Sequence, residues 1–173
     1  EFYSACKAEG IQPIVGCELA VVDGDITDRN TRKPTNNLVF LCKDLTGYKN
    51  LVKLVSIAHM QGFYYRPRIN WDLVERHREG LVVLTDCVAG PIGYNVLRGH
   101  MEAARDRVRW LQRVFGEDAY IEIQDHGLGP EMQVTAEAVK IARELGVACV
   151  ATNDSRFSYP GQETVVDILL CMQ

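Results

Sequence analysis

Leu81-Val82-Val83-Leu84-Thr85-Asp86-Cys87 is a short β-branched apolar run that stops abruptly at a carboxylate and a thiol. The same shape recurs at Ile14-Val15-Gly16-Cys17-Glu18, Tyr120-Ile121-Glu122-Ile123-Gln124-Asp125-His126 and Val147-Ala148-Cys149-Val150-Ala151-Thr152-Asn153-Asp154. Buried parallel strands read as continuous Val/Ile/Leu runs, and in α/β barrels ligands bind where their carboxyl ends meet. Strand ends that carry carboxylate, thiol or imidazole therefore point to one shared pocket.

Between these runs the pattern alternates helix and strand. Glu1 to Glu9 reads as the tail of an amphipathic helix ended by Gly10, and Gln12 to Val22 as a strand through Cys17 and Glu18. Asp23 to Asn37, rich in Asp, Asn, Thr and charge, reads as an exposed loop before a strand over Leu38 to Lys43. Leu51, Leu54, Val55 and Ala58 recur at helical spacing between Thr46 and Gly62. Phe63-Tyr64-Tyr65-Arg66-Pro67-Arg68 follows as an extended aromatic and basic segment, then a short helix from Trp71 to Arg78 closed by Gly80.

After the Leu81 to Cys87 strand, helices are expected over Pro91 to Arg98 and over His100 to Phe115. The second buries Ala103, Ala104, Val108, Leu111 and Val114 and is capped by Gly116. Tyr120 to Asp125 alternates apolar and polar residues, so one face of that strand meets something other than hydrocarbon. Pro130 to Leu145 is a helix closed by Gly146, Val147 to Asp154 the last strand, and Pro160 to Gln173 a capped helix with an apolar end. Strands alternating with helices imply an α/β fold with a mostly parallel sheet, most simply a barrel.

At 173 residues and 47% hydrophobic, the chain can bury a sizeable core as one domain or most of one. A formal net charge of −4 argues against a surface that grips nucleic acid by bulk electrostatics, so any DNA contact is local or supplied by other chains. With no run of eighteen apolar residues and no signal peptide at the amino terminus, a cytoplasmic protein without membrane contact is expected. The six cysteines lie far apart, without a CxxC pair and mostly inside apolar runs, as buried reduced thiols do.

Each residue able to carry chemistry has a plain alternative. Glu18 stands where its strand is apolar on both sides, so it needs a partner: a metal, or a structural salt bridge. Asp154 closes a strand at Thr152-Asn153-Asp154, either as a functional carboxylate or as part of an ordinary turn. Cys87 is a soft ligand or a small core residue, and Asp86 caps the following helix or lines the pocket. Asp125 and His126 set a carboxylate beside an imidazole, which can orient a ligand and is equally a strand-to-helix turn. Phe63 to Arg68 either touches single-stranded nucleic acid or supplies core aromatics and surface arginines. His59, His77 and His100 fall in polar helical surroundings and are assigned no chemistry.

The blocks Ile14-Val15-Gly16-Cys17-Glu18, Thr46-Gly47-Tyr48-Lys49-Asn50-Leu51, Gly62-Phe63-Tyr64-Tyr65-Arg66-Pro67-Arg68, Glu122-Ile123-Gln124-Asp125-His126-Gly127, Ala151-Thr152-Asn153-Asp154 and Asp167-Ile168-Leu169-Leu170-Cys171-Met172-Gln173 together resemble the PHP (polymerase and histidinol phosphatase) domain of bacterial replicative polymerase alpha subunits. The resemblance implies a distorted seven-stranded α/β barrel with a metal cluster at its strand ends, here as a fragment, residues 1–173, lacking the family's first two βα units. Members with a full site hold metal by a His-x-His pair, an Asp-His pair, a Glu, a His, a Cys or His, and an Asp-x-His. Glu18, Cys87 and Asp154 match three of these positions, whereas Asn37 and Arg156 stand where the family has histidines.

An amide is a poor transition-metal ligand and a guanidinium none. A fixed cation about 4 Å from a metal ion costs on the order of 4 kcal/mol per pair of unit charges at an effective dielectric of 20. Arg156 is therefore expected to pair with Glu18 and Asp154 in place of metals, with Asn37, Asp86, Asp125 and His126 lining a pocket that needs no cofactor. The resemblance implies a structural and interaction module whose partners are the rest of the polymerase alpha chain and a proofreading exonuclease subunit, with DNA reached only through the parent polymerase. The alternative is a phosphoesterase, a proofreading exonuclease or pyrophosphatase, dependent on Zn, Mn or Mg and using Glu18, Cys87, Asp125, His126 and Asp154.

Overall fold

A computed structural model describes residues 1–29 and 34–172. Residues 30–33 of the loop expected over Asp23 to Asn37, and Gln173 of the last expected helix, lie outside the described residues. The order is α1 (Phe2–Ala8), β1 (Gly16–Val22), β2 (Thr35–Cys42), α2 (Leu45–Met60), β3 (Arg68–Asn70), α3 (Trp71–Arg76), β4 (Leu81–Leu84), α4 (Pro91–Val96), α5 (Met101–Phe115), β5 (Ala119–Ile123), α6 (Gly129–Leu145), β6 (Ala148–Ala151) and α7 (Glu163–Cys171).

The strands form one sheet in the order β3-β1-β2-β4-β5-β6. The pairs β1/β3, β4/β5 and β5/β6 are parallel, whereas β2 runs antiparallel to both β1 and β4. That reversal follows from the connection: parallel neighbours need a crossover, usually a helix, and the stretch between β1 and β2 has the composition of a loop. Thr35, Asn36 and Asn37 belong to β2 and not to the expected loop. Their poor strand propensity is overridden by a full ladder on β1, in which Asn37 faces Ala20 and Asn36 faces Val21. Among the described residues the sheet is open, with β3 and β6 at its edges.

Helix packing follows the apolar periodicity. Asp44 caps α2 by accepting a hydrogen bond from the Gly47 N–H at 2.9 Å, and the helix buries Gly47, Leu51, Leu54 and Ala58. Gly47 has no room for a side chain, because a Cβ there would lie 1.9 Å from the Gly80 carbonyl oxygen. The first core gathers Val21, Leu38, Phe40, Leu54, Ile69, Val74 and Leu111 between the β1-β2-β4 side of the sheet and α2, α3 and α5. The second joins Ile121 of β5 to Ile92, Val108, Val134 and Ile141 of α4, α5 and α6. Burying each of these aliphatic side chains is worth roughly 1.5–3 kcal/mol before the entropy of ordering it is subtracted.

Packing thins toward the carboxyl end of the chain. Ala148, Cys149 and Ala151 of β6 are exposed, and α7 buries none of its residues. Of the six cysteines only Cys87 is buried, so the expectation of buried thiols fails at Cys149 and Cys171, which are exposed. Among the described residues no helix is long and apolar enough to cross a membrane.

Candidate functional site

Glu18 on β1, Asn37 on β2, Asp86 after β4 and Asp154 after β6 meet at one rim of the sheet. The β1/β2 register sets Asn37 beside Ala20, two residues along from Glu18 on the same strand face. Its amide donates to Glu18 Oε1 at 2.5 Å, while its own oxygen accepts from the Arg66 guanidinium. The Asn37 N–H donates to the Ala89 carbonyl at 3.0 Å and so ties the loop that carries Asp86 to β2.

Asp86 adopts φ 45°, a left-handed conformation that short polar residues tolerate best. Burial, followed by the negative charges of Glu18 and Glu122, pushes its carboxyl up to about 6, against a lowering hydrogen bond from Asn37. A carboxylic acid that titrates near neutrality is a poised proton donor or acceptor. Asp86 does not cap α4, whose N-cap is Gly90.

Glu122 is the buried centre of the neighbouring strands. It accepts from the Asp86 N–H at 2.9 Å, from the Thr152 hydroxyl at 2.5 Å and from the Gln124 amide at 3.4 Å. Its own N–H donates to the Thr85 hydroxyl at 3.0 Å. One carboxylate thereby joins the ends of β4, β5 and β6.

Beside it, the His126 ring lies 2.9 Å from Glu131 Oε1 through Nδ1 and 3.1 Å from the Asn153 carbonyl through Nε2, while Glu131 Oε2 accepts the His126 N–H at 2.8 Å. Both ring partners are acceptors, which favours the doubly protonated imidazolium. The hydrogen bond to Glu131, then that to Asn153, raises the imidazole above its usual range, and the same contact with His126 lowers Glu131. Asp125 stays local, accepting the Gly127 N–H at 3.0 Å across the turn.

Arg156 grips Asp154 with both arms, Nε to Oδ1 and Nη2 to Oδ2, each at 3.0 Å. The expected pairing with Glu18 is not made: the charge of Glu18 is felt at Arg156, but its carboxylate is held by Asn37. A two-residue reach from Asp154 satisfies the guanidinium fork on one carboxylate and leaves the second to the amide across the β1/β2 ladder. Cys87 is 2% exposed and packs in the second core with Ile92, Val96 and Val134. Burial raises its thiol, with the Gln124 backbone and the Thr135 hydroxyl as its polar neighbours.

The donor set does not fit a cluster of divalent metals. The carboxylates at the rim are interleaved with one amide and two guanidiniums, Asn37, Arg66 and Arg156, none of which is a useful transition-metal ligand. Among the described residues no group of three or more His, Cys, Asp or Glu side chains is arranged to hold a metal ion.

Sequence reasoning missed Arg66, Glu122, Thr85, Thr152 and Glu131. The signal for Glu122 was present in the apolar and polar alternation of its strand. No spacing announced that Arg66 would cross to β2.

The PHP domain family model matches residues 1–126. The chain belongs to the PHP domain family. It is 39% identical over 175 residues to a DNA polymerase III subunit alpha of Treponema pallidum, 38% over 178 residues to that of Borreliella burgdorferi and 34% over 181 residues to that of Aquifex aeolicus. These matches take in 99%, 99% and 100% of this PHP domain chain but only 15%, 15% and 16% of the relatives, so it spans about a seventh of their length.

Proposed function

We propose that this PHP domain serves as a non-catalytic structural and interaction module of a bacterial replicative polymerase alpha subunit in the cytoplasm. It docks against the rest of that alpha chain and offers a surface to a proofreading exonuclease subunit, and its open sheet is part of a seven-stranded barrel. The observation that carries this reading is the polar chain Arg66–Asn37–Glu18 beside the Arg156–Asp154 pair. Arg156 neutralises Asp154, and the Asn37 amide, itself held by Arg66, occupies Glu18, where divalent ions would otherwise bridge the carboxylates; a hydrolytic site of the two-metal kind needs those ions to clamp attacking and leaving oxygens.

Nucleotidyl transfer is not assigned to these residues, and no cofactor is assigned to Glu18, Cys87 or Asp154. Elemental analysis of the purified protein is expected to return near-zero Zn, Mn and Fe per chain. Bound metal approaching two equivalents, with hydrolysis of a phosphodiester that a chelator abolishes, would instead establish the phosphoesterase reading. The double variant Asn37→His/Arg156→His is expected to take up metal that the wild type does not.

A further inference from the structure

Apart from Arg66, which reaches Asn37, the segment between α2 and β3 takes no part in the rim. Phe63 is 57% exposed, Tyr65 82% and the neighbouring Met60 83%, so of the two alternatives for Phe63 to Arg68 the one with both of these aromatics in a core does not hold. The guanidinium of Arg68 is the buried group. It donates to the carbonyls of Gly62, Ile26 and Asp28 at 3.2, 2.9 and 3.0 Å and lies 5.2 Å from the Tyr64 ring centroid.

Tyr65 holds φ 59°, costly for a bulky residue, and residues kept in such conformations cluster at functional sites. The frame around it is fixed. The Tyr64 N–H donates to the Arg66 carbonyl at 3.1 Å, the Tyr64 and Tyr65 rings meet edge to face at 4.6 Å, and Gly62 packs so closely that a Cβ would lie 2.0 Å from the Arg68 carbonyl oxygen. The Tyr65 ring is thus presented to solvent on a braced backbone, with the exposed Phe63 two residues away.

The adjoining surface is basic. Lys49, Lys53, Ser56 and Met60 are exposed at helical spacing on one face of α2, a stripe about 16 Å long that ends at Met60, three residues before Phe63. Lys53 and Arg76 lie close enough to His77 that, after burial, their charges lower its imidazole. Among the described residues, Lys49, Lys53 and Arg76 make no ion pair.

We propose that this face binds single-stranded nucleic acid, with bases stacking on Tyr65 and Phe63 and phosphates following Lys53, Lys49 and Arg76. An acidic peptide would answer the lysines and leave the rings idle, and a duplex keeps its base faces covered. Single strands supply a π-face and a phosphate at each nucleotide. The binding is local and salt-sensitive, as the net charge of −4 requires.

Fluorescence anisotropy of labelled oligo(dT), titrated with the full chain, tests this. Binding is expected at about 50 mM salt and should fade by about 200 mM. Phe63→Ala/Tyr65→Gly, where glycine keeps the left-handed backbone, should raise Kd about tenfold or more, the loss expected for one or two stacked bases. Lys53→Glu should weaken binding, and Tyr65→Phe should leave it unchanged, while circular dichroism confirms that each variant folds. No binding up to about 100 µM, the weak end of non-specific affinities, overturns the proposal. So does equal affinity for duplex, or binding indifferent to loss of both rings.

Discussion

Two carboxyls near one end of the sheet, Asp86 and Glu131, are shifted in opposite directions. Glu122 and Glu131 are 5% and 7% exposed, yet both are supplied with donors: the first by a backbone N–H, a hydroxyl and an amide, the second by an imidazole and a backbone N–H. Glu18, Asp86 and Asp154 sit nearer the surface and crowd one another, and it is there that a carboxyl rises to about 6. Glu131, the more buried, is lowered. At Asp86 burial and then neighbouring negative charge prevail, whereas at Glu131 the hydrogen bonds from His126 outweigh burial.

Removing the best-supplied acid should cost the most. Glu122→Ala leaves the Asp86 N–H, the Thr152 hydroxyl and the Gln124 amide without an acceptor in a buried setting. A loss of about 2–4 kcal/mol in urea unfolding is expected. A loss under about 0.5 kcal/mol would show that Glu122 does not pin the strands.

Asp86→Asn should act in the other direction. The folded-state value, about 6, exceeds the ordinary 3.8, so between those values the folded chain holds more protons and stability falls as pH rises. The variant escapes that penalty and gains about 1–2 kcal/mol at pH 7.5, after discounting for partial solvent access, with no gain at about pH 4. Asparagine also tolerates the φ of 45° found there. A gain equal at both pH values would assign the effect to packing.

His126→Leu probes the well-supplied set. The raised imidazole stabilises below its ordinary 6.5 and loses that contribution as pH climbs through its folded value. The lowered Glu131 contributes above its ordinary 4.5 and loses it as pH drops through its folded value. The gap between wild type and variant should peak between these two ordinary values in thermal melts taken across pH. A flat gap would mean that the ring acts through shape alone.

The smallest effect belongs to Arg156→Ala, since Arg156 and Asp154 keep side-chain exposures of 60% and 49%. Exposed pairs contribute about 0.2–1 kcal/mol, and a change below about 0.5 kcal/mol is expected. A larger loss would bring this pair into line with Glu122.

The helices and the strand runs were legible because burial writes a period into the sequence: the α2 residues Leu51, Leu54 and Ala58 were named from spacing and are buried. The direction of β2 was not, because an apolar run records what is buried and not which way its neighbour points. Asp86 and Asp154 follow the ends of β4 and β6 as the apolar runs suggested, whereas Glu18 lies inside β1, whose apolar run continues past it to Val22. The anchoring of Glu18 was not legible, since it arises from the cross-strand register of Asn37 and the tertiary reach of Arg66, neither of which leaves a mark in local sequence. The placement of Phe63 and Tyr65 stayed open between surface and core, because aromatic residues signal burial on average and no local rule reveals that Arg68 is the buried member of this segment.

The meeting of Gly47 with Gly80 has a mechanical side. With backbone against backbone, the Lys43 N–H bonded to the Gly80 carbonyl at 2.9 Å and the Asn50 amide to that of Glu79 at 2.9 Å, the start of α2 and the turn into β4 share a seam without slack. A methyl group on either glycine would wedge the two backbones apart at this point, and both hydrogen bonds would have to stretch to admit it.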